Sequence, residues 1–114
     1  MRLAAPILAI AAVGLTAPAL SQAPAGRELF VRADKGHCAA CHRVGAADAG
    51  GTRPDVGPAL QGARMRSLGK AALRALVADP TRANPDTLMP PFGRHRILDD
   101  REIDRVVDYL HALP

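Results

Sequence analysis

Cys38-Ala39-Ala40-Cys41-His42 is the stretch on which the reading of this chain turns. Two thiols three positions apart can add across the two vinyl groups of a haem, and the histidine that follows at once can ligate the iron. Cys-X-X-Cys-His is therefore the spacing of a c-type haem attachment site. Other chemistries open to a cysteine pair fit less well. A structural zinc takes about four ligands, and the chain has only 2 cysteines. A thiol–disulfide redox pair belongs beside a βαβ pattern, and no segment here reads as a strand. Cys38 and Cys41 are thus expected to form thioethers to one haem c, with His42 as the proximal ligand.

Ahead of the motif, Arg2 is followed by a charge-free run over residues 3–20 and by small-X-small sites ending at Ala19, Ala23 and Ala25. This is the layout of a secretory signal peptide. The run contains Pro6, Gly14 and Pro18 and is barely long enough to span a bilayer. Residues 1–23 are therefore expected as a cleaved leader rather than an anchor, with the cut at one of those three alanines. Residues 24–114 form the domain, exported to the periplasm and free of the membrane.

That domain is small for a self-sufficient core. It has no Trp, and its aromatics are Phe30, Phe92 and Tyr109 alone. Both cysteines lie in one motif, so no long-range disulfide can staple the chain. A covalently held haem would supply the missing apolar volume. The formal charge of +4 comes without a basic run interleaved with aromatics, so nucleic-acid binding is not expected.

Three helices are legible around the motif, which itself reads as a helical turn. In residues 25–33, Gly26 and Phe30 lie four apart on one face, flanked by Leu29 and Val31. Gly36 ends this segment. In residues 67–78, Leu73, Leu76 and Val77 form the apolar stripe, and Asp79-Pro80 stops it. The last helix opens with Asp99 as N-cap and Glu102 three residues on, a capping box. Ile103, Val106, Val107 and Leu110 then follow the i, i+3, i+4, i+7 pattern of one buried face. Asp100, Arg101, Asp104, Arg105 and Asp108 fill the outer face. The expected fold class is all-α, three to four helices wrapped around one haem. The Gly- and Pro-rich loops over residues 43–62 and 80–98 are long for so small a domain, which points to a functional role.

Each loop offers the iron something. Gly57-Pro58-Ala59-Leu60 is a rigid turn whose Pro58 carbonyl is a suitable acceptor for the second ring nitrogen of His42; an ordinary Gly-Pro loop is the alternative. For the sixth ligand the best placed is Met89, in Thr87-Leu88-Met89-Pro90-Pro91, with His95 as its rival. Met65, between Arg64 and Arg66 near a helix start, suits a half-buried gap-filling role. His37 abuts Cys38, and His111 lies near the chain end. His/Met ligation raises the reduction potential and closes the iron to substrate, which favours an electron carrier. Arg94 and Arg96 could pair with haem propionates, with an acidic partner, or with solvent.

The layout resembles the single-domain cytochrome c family. Gly26 and Phe30, opposed by Val106 and Tyr109, match its meeting of first and last helices. Cys38, Cys41, His42, Pro58 and Met89 fall where that family has its thioethers, proximal histidine, proline carbonyl and axial methionine. Residues 83–98, with Leu88-Met89-Pro90-Pro91-Phe92-Gly93-Arg94-His95, and residues 102–110 look closer still to the SoxX family, the small monohaem subunit of the SoxAX complex of bacterial sulfur oxidation. The likeness implies a periplasmic heterodimer with a SoxA-like cytochrome, which joins thiosulfate to a cysteine of the SoxYZ carrier protein (L-cysteine S-thiosulfotransferase activity). In that family the catalytic haem has a cysteine-persulfide ligand and belongs to SoxA; this chain has no third cysteine for the role. It is expected as the non-catalytic subunit that passes electrons to a small soluble cytochrome. Two alternatives stay open at this level: a free periplasmic shuttle without a dedicated partner, and a haem enzyme or sensor with an open sixth site.

Overall fold

A computed structural model of the chain describes Met1, residues 24–45 and residues 55–114. The expected leader beyond Met1, and the middle of the first loop, lie outside the described residues. Among the described residues there are four α-helices: α1 (Gly26–Val31), α2 (Gly62–Leu68), α3 (Lys70–Ala78) and α4 (Asp100–His111). Short 3-10 turns occur at Cys38–Ala40 and Pro80–Arg82. Among the described residues the only strand-like pairing is one isolated parallel bridge, Val44 to Leu60. The domain is all-α, as expected.

The last helix is the strut of the fold. Asp99 Oδ1 accepts from the backbone N–H of Glu102 at 2.8 Å, and Glu102 Oε2 accepts from that of Asp99 at 3.0 Å, so both halves of the capping box are formed. Ile103, Val106, Val107 and Leu110 are all buried. The other oxygen of Glu102 meets Lys35 Nζ at 2.7 Å. This pair joins the segment just before the haem motif to the start of α4. The Lys35 hydrogen bond, outweighing the cost of burial, holds the Glu102 carboxyl below its usual range. The polar face of α4 is also engaged. Asp100 and Asp104 meet Arg74 at 3.0 and 2.8 Å, and Asp108 meets Lys70 at 2.9 Å, tying α4 to α3. These pairs are solvent-exposed, so each contributes little stability.

α1 has six residues and no side-chain N-cap, too short to persist alone. Packing on α4 holds it. A Cβ on Gly26 would overlap the Arg105 carbonyl oxygen and come within 2.8 Å of Tyr109 Cβ. The two helix backbones therefore touch where the side chain is missing. Four residues on, the Phe30 ring meets Tyr109 edge-to-face, centroids 5.5 Å apart at 61°. Leu29 is buried but Val31 is exposed, so only one flank of the expected face is used.

The second expected helix differs. Residues 62–78 form two helices rather than one beginning at residue 67, broken at Gly69 with φ +81°. Gly69 N–H still closes α2 onto Met65 O at 3.1 Å, while its carbonyl receives Leu73 N–H to open α3 at 3.1 Å. Only glycine adopts this φ without strain. The earlier start draws Met65 into α2, where it is 3 % exposed rather than half-buried.

Candidate haem site

The attachment turn is short and tightly held. His37 enters it in the left-handed region, φ 46°. Cys41 and His42 N–H groups then both donate to Cys38 O, at 3.1 and 2.8 Å. Upstream, Gly36 and His37 N–H groups donate to Leu29 and Arg32 carbonyls at 3.1 and 3.0 Å, which fastens the turn to α1. Cys38 and Cys41 are free thiols, both partly buried. Burial pushes the Cys38 thiol up to about 11. Thiol–disulfide exchange needs a thiolate, which this site disfavours. A thioether is neutral: the S–H adds across a vinyl C=C, sulfur to one carbon and hydrogen to the other. The buried sulfur position suits that product.

His42 is oriented by the first loop. Its Nδ1 lies 2.7 Å from Pro58 O. A carbonyl can only accept, so Nδ1 carries the proton and the Nε2 lone pair is left for a metal. The turn over residues 57–60 is held beside the motif by Gly57 N–H to Cys41 O at 2.8 Å and Leu60 N–H to Arg43 O at 2.7 Å. Gly57 is packed on the imidazole itself, where a Cβ would stand 2.5 Å from His42 Cε1. The ring is thus clamped by an absent side chain on one side and a carbonyl at its edge.

Met89 is held from both directions. Thr87 Oγ1 accepts from its backbone N–H at 3.1 Å. Pro90 and Pro91 follow, and Phe92 then plugs into the core, 6 % exposed. Ile97 and Leu98 N–H groups both return to Phe92 O, at 2.9 and 3.0 Å. The loop is moored to α3 by Gly93 and Arg94 N–H groups, which donate to Ala78 O at 3.0 and 3.1 Å. Asp79 braces the loop's entry: its carboxylate accepts from the hydroxyl and the N–H of Thr81 and faces Arg94 and Arg82. The Thr81 hydrogen bond, with help from the two arginines, keeps Asp79 below its usual range. Thr87 was not singled out by the sequence; a Thr two residues before a functional side chain, able to cap its N–H, is the signal that marks it.

These elements enclose one cavity of about 640 Å³, within the range of cofactor sites. Cys38, Cys41, His42, Pro58 and Met89 all border it, so the expected site residues come together. Its apolar walls include Phe30, Leu73, Val77, Phe92, Val106 and Leu110. The donor set, the thioether-ready sulfurs and an apolar slot of this size fit a haem. Met65 and Arg64 border the cavity too, which sequence reasoning did not foresee. His95 and His111 do not border it, and His95 is exposed. Arg94 and Arg96, weighed above as propionate partners, also lie off its wall.

A family model for cytochrome c matches residues 23–114. Among solved structures, the crystal structure of SoxXA from P. pantotrophus is similar, with a TM-score of 0.66 and 26% sequence identity over 82% of this chain and 85% of that one. No curated protein sequence matches. A match across the whole described domain, added to an attachment turn that opens into a haem-sized cavity, makes this chain a member of the cytochrome c family that carries one covalently bound haem c.

Proposed function

We propose that this protein is the electron-transfer subunit of a periplasmic heterodimer with a SoxA-like cytochrome, exported by a leader over residues 1–23. In this reading it takes electrons from the partner's haem, as thiosulfate is joined to the SoxYZ carrier cysteine, and hands them to a small soluble cytochrome. The observation that carries the electron-carrier part is the mooring of Met89. A thioether held by Thr87 behind it and two prolines ahead borders the same cavity as His42.

Bound there, the haem supplies a one-electron iron couple. His42, oriented by the Pro58 carbonyl, would offer its Nε2 to the iron. Met89, which borders the same cavity, would supply a thioether to the iron, and ligation of that kind favours electron transfer over substrate binding. The apolar walls keep water out of the cavity, and the moored loop holds Met89 in place beside it. The likeness to SoxXA, over most of both chains, is what favours a dedicated partner over a free shuttle.

The experiment has two stages. The purified holoprotein should show a low-spin spectrum with the weak methionine–iron band at the red edge, and Met89→Ala should abolish that band. Thiosulfate should then reduce the haem only when a co-purifying SoxA-like cytochrome is present. Reduction without it, or no such partner in a periplasmic pull-down, would overturn the heterodimer reading and leave the free carrier.

A further inference from the structure

The turn that follows Met89 carries more positive charge than its surroundings neutralise. Arg94, His95 and Arg96 stand in a row there, all exposed. The turn is tight. His95 N–H donates to Pro91 O at 2.9 Å and Arg96 N–H to Gly93 O at 3.0 Å, with Arg96 itself in the left-handed region, φ 56°. A left-handed arginine is uncommon and persists only where the surrounding structure holds it. Arg82, exposed on the turn after α3, comes to the same place. It and Arg94 face one carboxylate, Asp79, at 4.0 and 3.9 Å, which already accepts from Thr81. The side chains of His95 and Arg96 make no ion pair or hydrogen bond among the described residues. Elsewhere the cations are matched: Arg74 by Asp100 and Asp104, Lys70 by Asp108, and Lys35 by Glu102. None of Arg82, Arg94, His95 and Arg96 borders the haem cavity, so this charge does not serve the cofactor.

We propose that Arg82, Arg94 and Arg96 form a docking patch for the acidic face of the protein that accepts the electron, an assignment that rests on the electron-carrier function proposed above. Clustered cations speed the encounter with a face of opposite charge and fix its orientation. Arginine forks also suit surface carboxylates. The position serves electron exit. Pro91, whose carbonyl takes the His95 N–H, is two residues on from Met89. An acceptor seated on the patch therefore lies against the segment that presents the thioether. One electron passes, lost by iron(II) and gained by the acceptor, with no atom or proton transferred. The patch lies off the cavity wall, whereas Val56, Leu68 and Leu88 are exposed on that wall. The cavity rim is thus left for the electron donor, and the two partners need not compete.

The test uses an acidic blue-copper protein as the acceptor and holoprotein variants at about 0.1 M salt, where charges act over about 10 Å. Arg96→Glu, and Arg82→Gln combined with Arg96→Gln, each take two units of charge from the patch. Arg27→Glu takes two from α1, where the side chain is exposed. Binding is read by NMR titration with both proteins reduced, so that no electron can move. Oxidation of the reduced holoprotein is read by stopped flow. Both patch variants are expected to bind about tenfold more weakly and to be oxidised about tenfold more slowly. Arg27→Glu is expected to match the wild type, and the methionine–iron band to persist in every variant. Wild-type binding in the patch variants, or an equal loss in Arg27→Glu, would overturn the proposal. So would patch variants that bind the copper protein normally but are no longer reduced through the SoxA-like partner; that result gives the patch to the donor and leaves the heterodimer standing. The heterodimer reading fails by a different result, reduction of the wild type by thiosulfate without the partner.

Discussion

His42 Nδ1 donates to the carbonyl oxygen of Pro58 across 2.7 Å, and Gly57, the residue before that proline, lies flat against the same imidazole. Ring orientation is therefore set by two consecutive residues acting in different ways, one by accepting a hydrogen bond and one by lacking a side chain.

Gly57→Ala is accordingly expected to be costly. Its Cβ would stand 2.5 Å from His42 Cε1, and overpacking of this kind costs about 1–3 kcal/mol. The holoprotein should lose that much in a urea titration and show a perturbed Soret band. A wild-type spectrum and midpoint would mean that the ring has room to move.

Thr87→Val keeps the shape of the side chain but removes the acceptor for Met89 N–H. The loss is about 1 kcal/mol, and it falls on the loop rather than on the core. The methionine–iron band should then disappear on warming before the global unfolding transition, at a lower temperature than in the wild type. Unchanged coincidence of the two transitions would refute the role given to Thr87.

Acid should loosen the protein in a defined window. Asp79 and Glu102 are both held below the usual carboxylate range, which is about 4. A depressed folded-state pKa contributes stability that is complete above that range and is lost as pH falls through the folded value. Urea midpoints should hold steady down to about pH 5 and fall below it. Glu102→Gln, which loses the Lys35 charge pair but keeps an oxygen to accept from Asp99 N–H, should cost about 1 kcal/mol at neutral pH. Its curve should converge on the wild type in acid. Parallel curves at every pH would show that the Glu102 charge is not the group responsible.

Cys38→Ala with Cys41→Ala should leave a chain that does not fold cooperatively. The core holds few large side chains, and several of them line the cavity that the haem fills. Circular dichroism during heating checks this. A sharp transition in the double variant would show that the polypeptide core suffices alone.

The parts that were legible in the sequence are those where one local rule decides. The attachment motif is read from spacing, α4 from its capping box and heptad-like stripe, and the Pro58 acceptor from the stiffness of a Gly-Pro turn. What escaped depends on packing. Gly69 carries a helix break, yet glycine inside a helical pattern is often tolerated, and only its φ of +81° shows that the chain turns there. That break rotates α2 separately from α3, so whether Met65 and Arg64 reach the cavity cannot be deduced from their neighbours in sequence. Likewise, Arg94 and Arg96 lie close to Met89 along the chain, but the loop carries them to Asp79 and to solvent.

The seat of Gly26 against Arg105 has a consequence for biogenesis. A six-residue helix with no partner does not persist in water, and its partner, α4, lies at the other end of the domain. The closure spans almost the entire domain, which is the slow kind of contact to form. α1 must therefore wait for α4 before it can settle. During that wait the cysteines just behind it remain accessible to whatever machinery attaches the haem, so the late clasp of the two ends leaves time for the cofactor to be installed before the protein shuts.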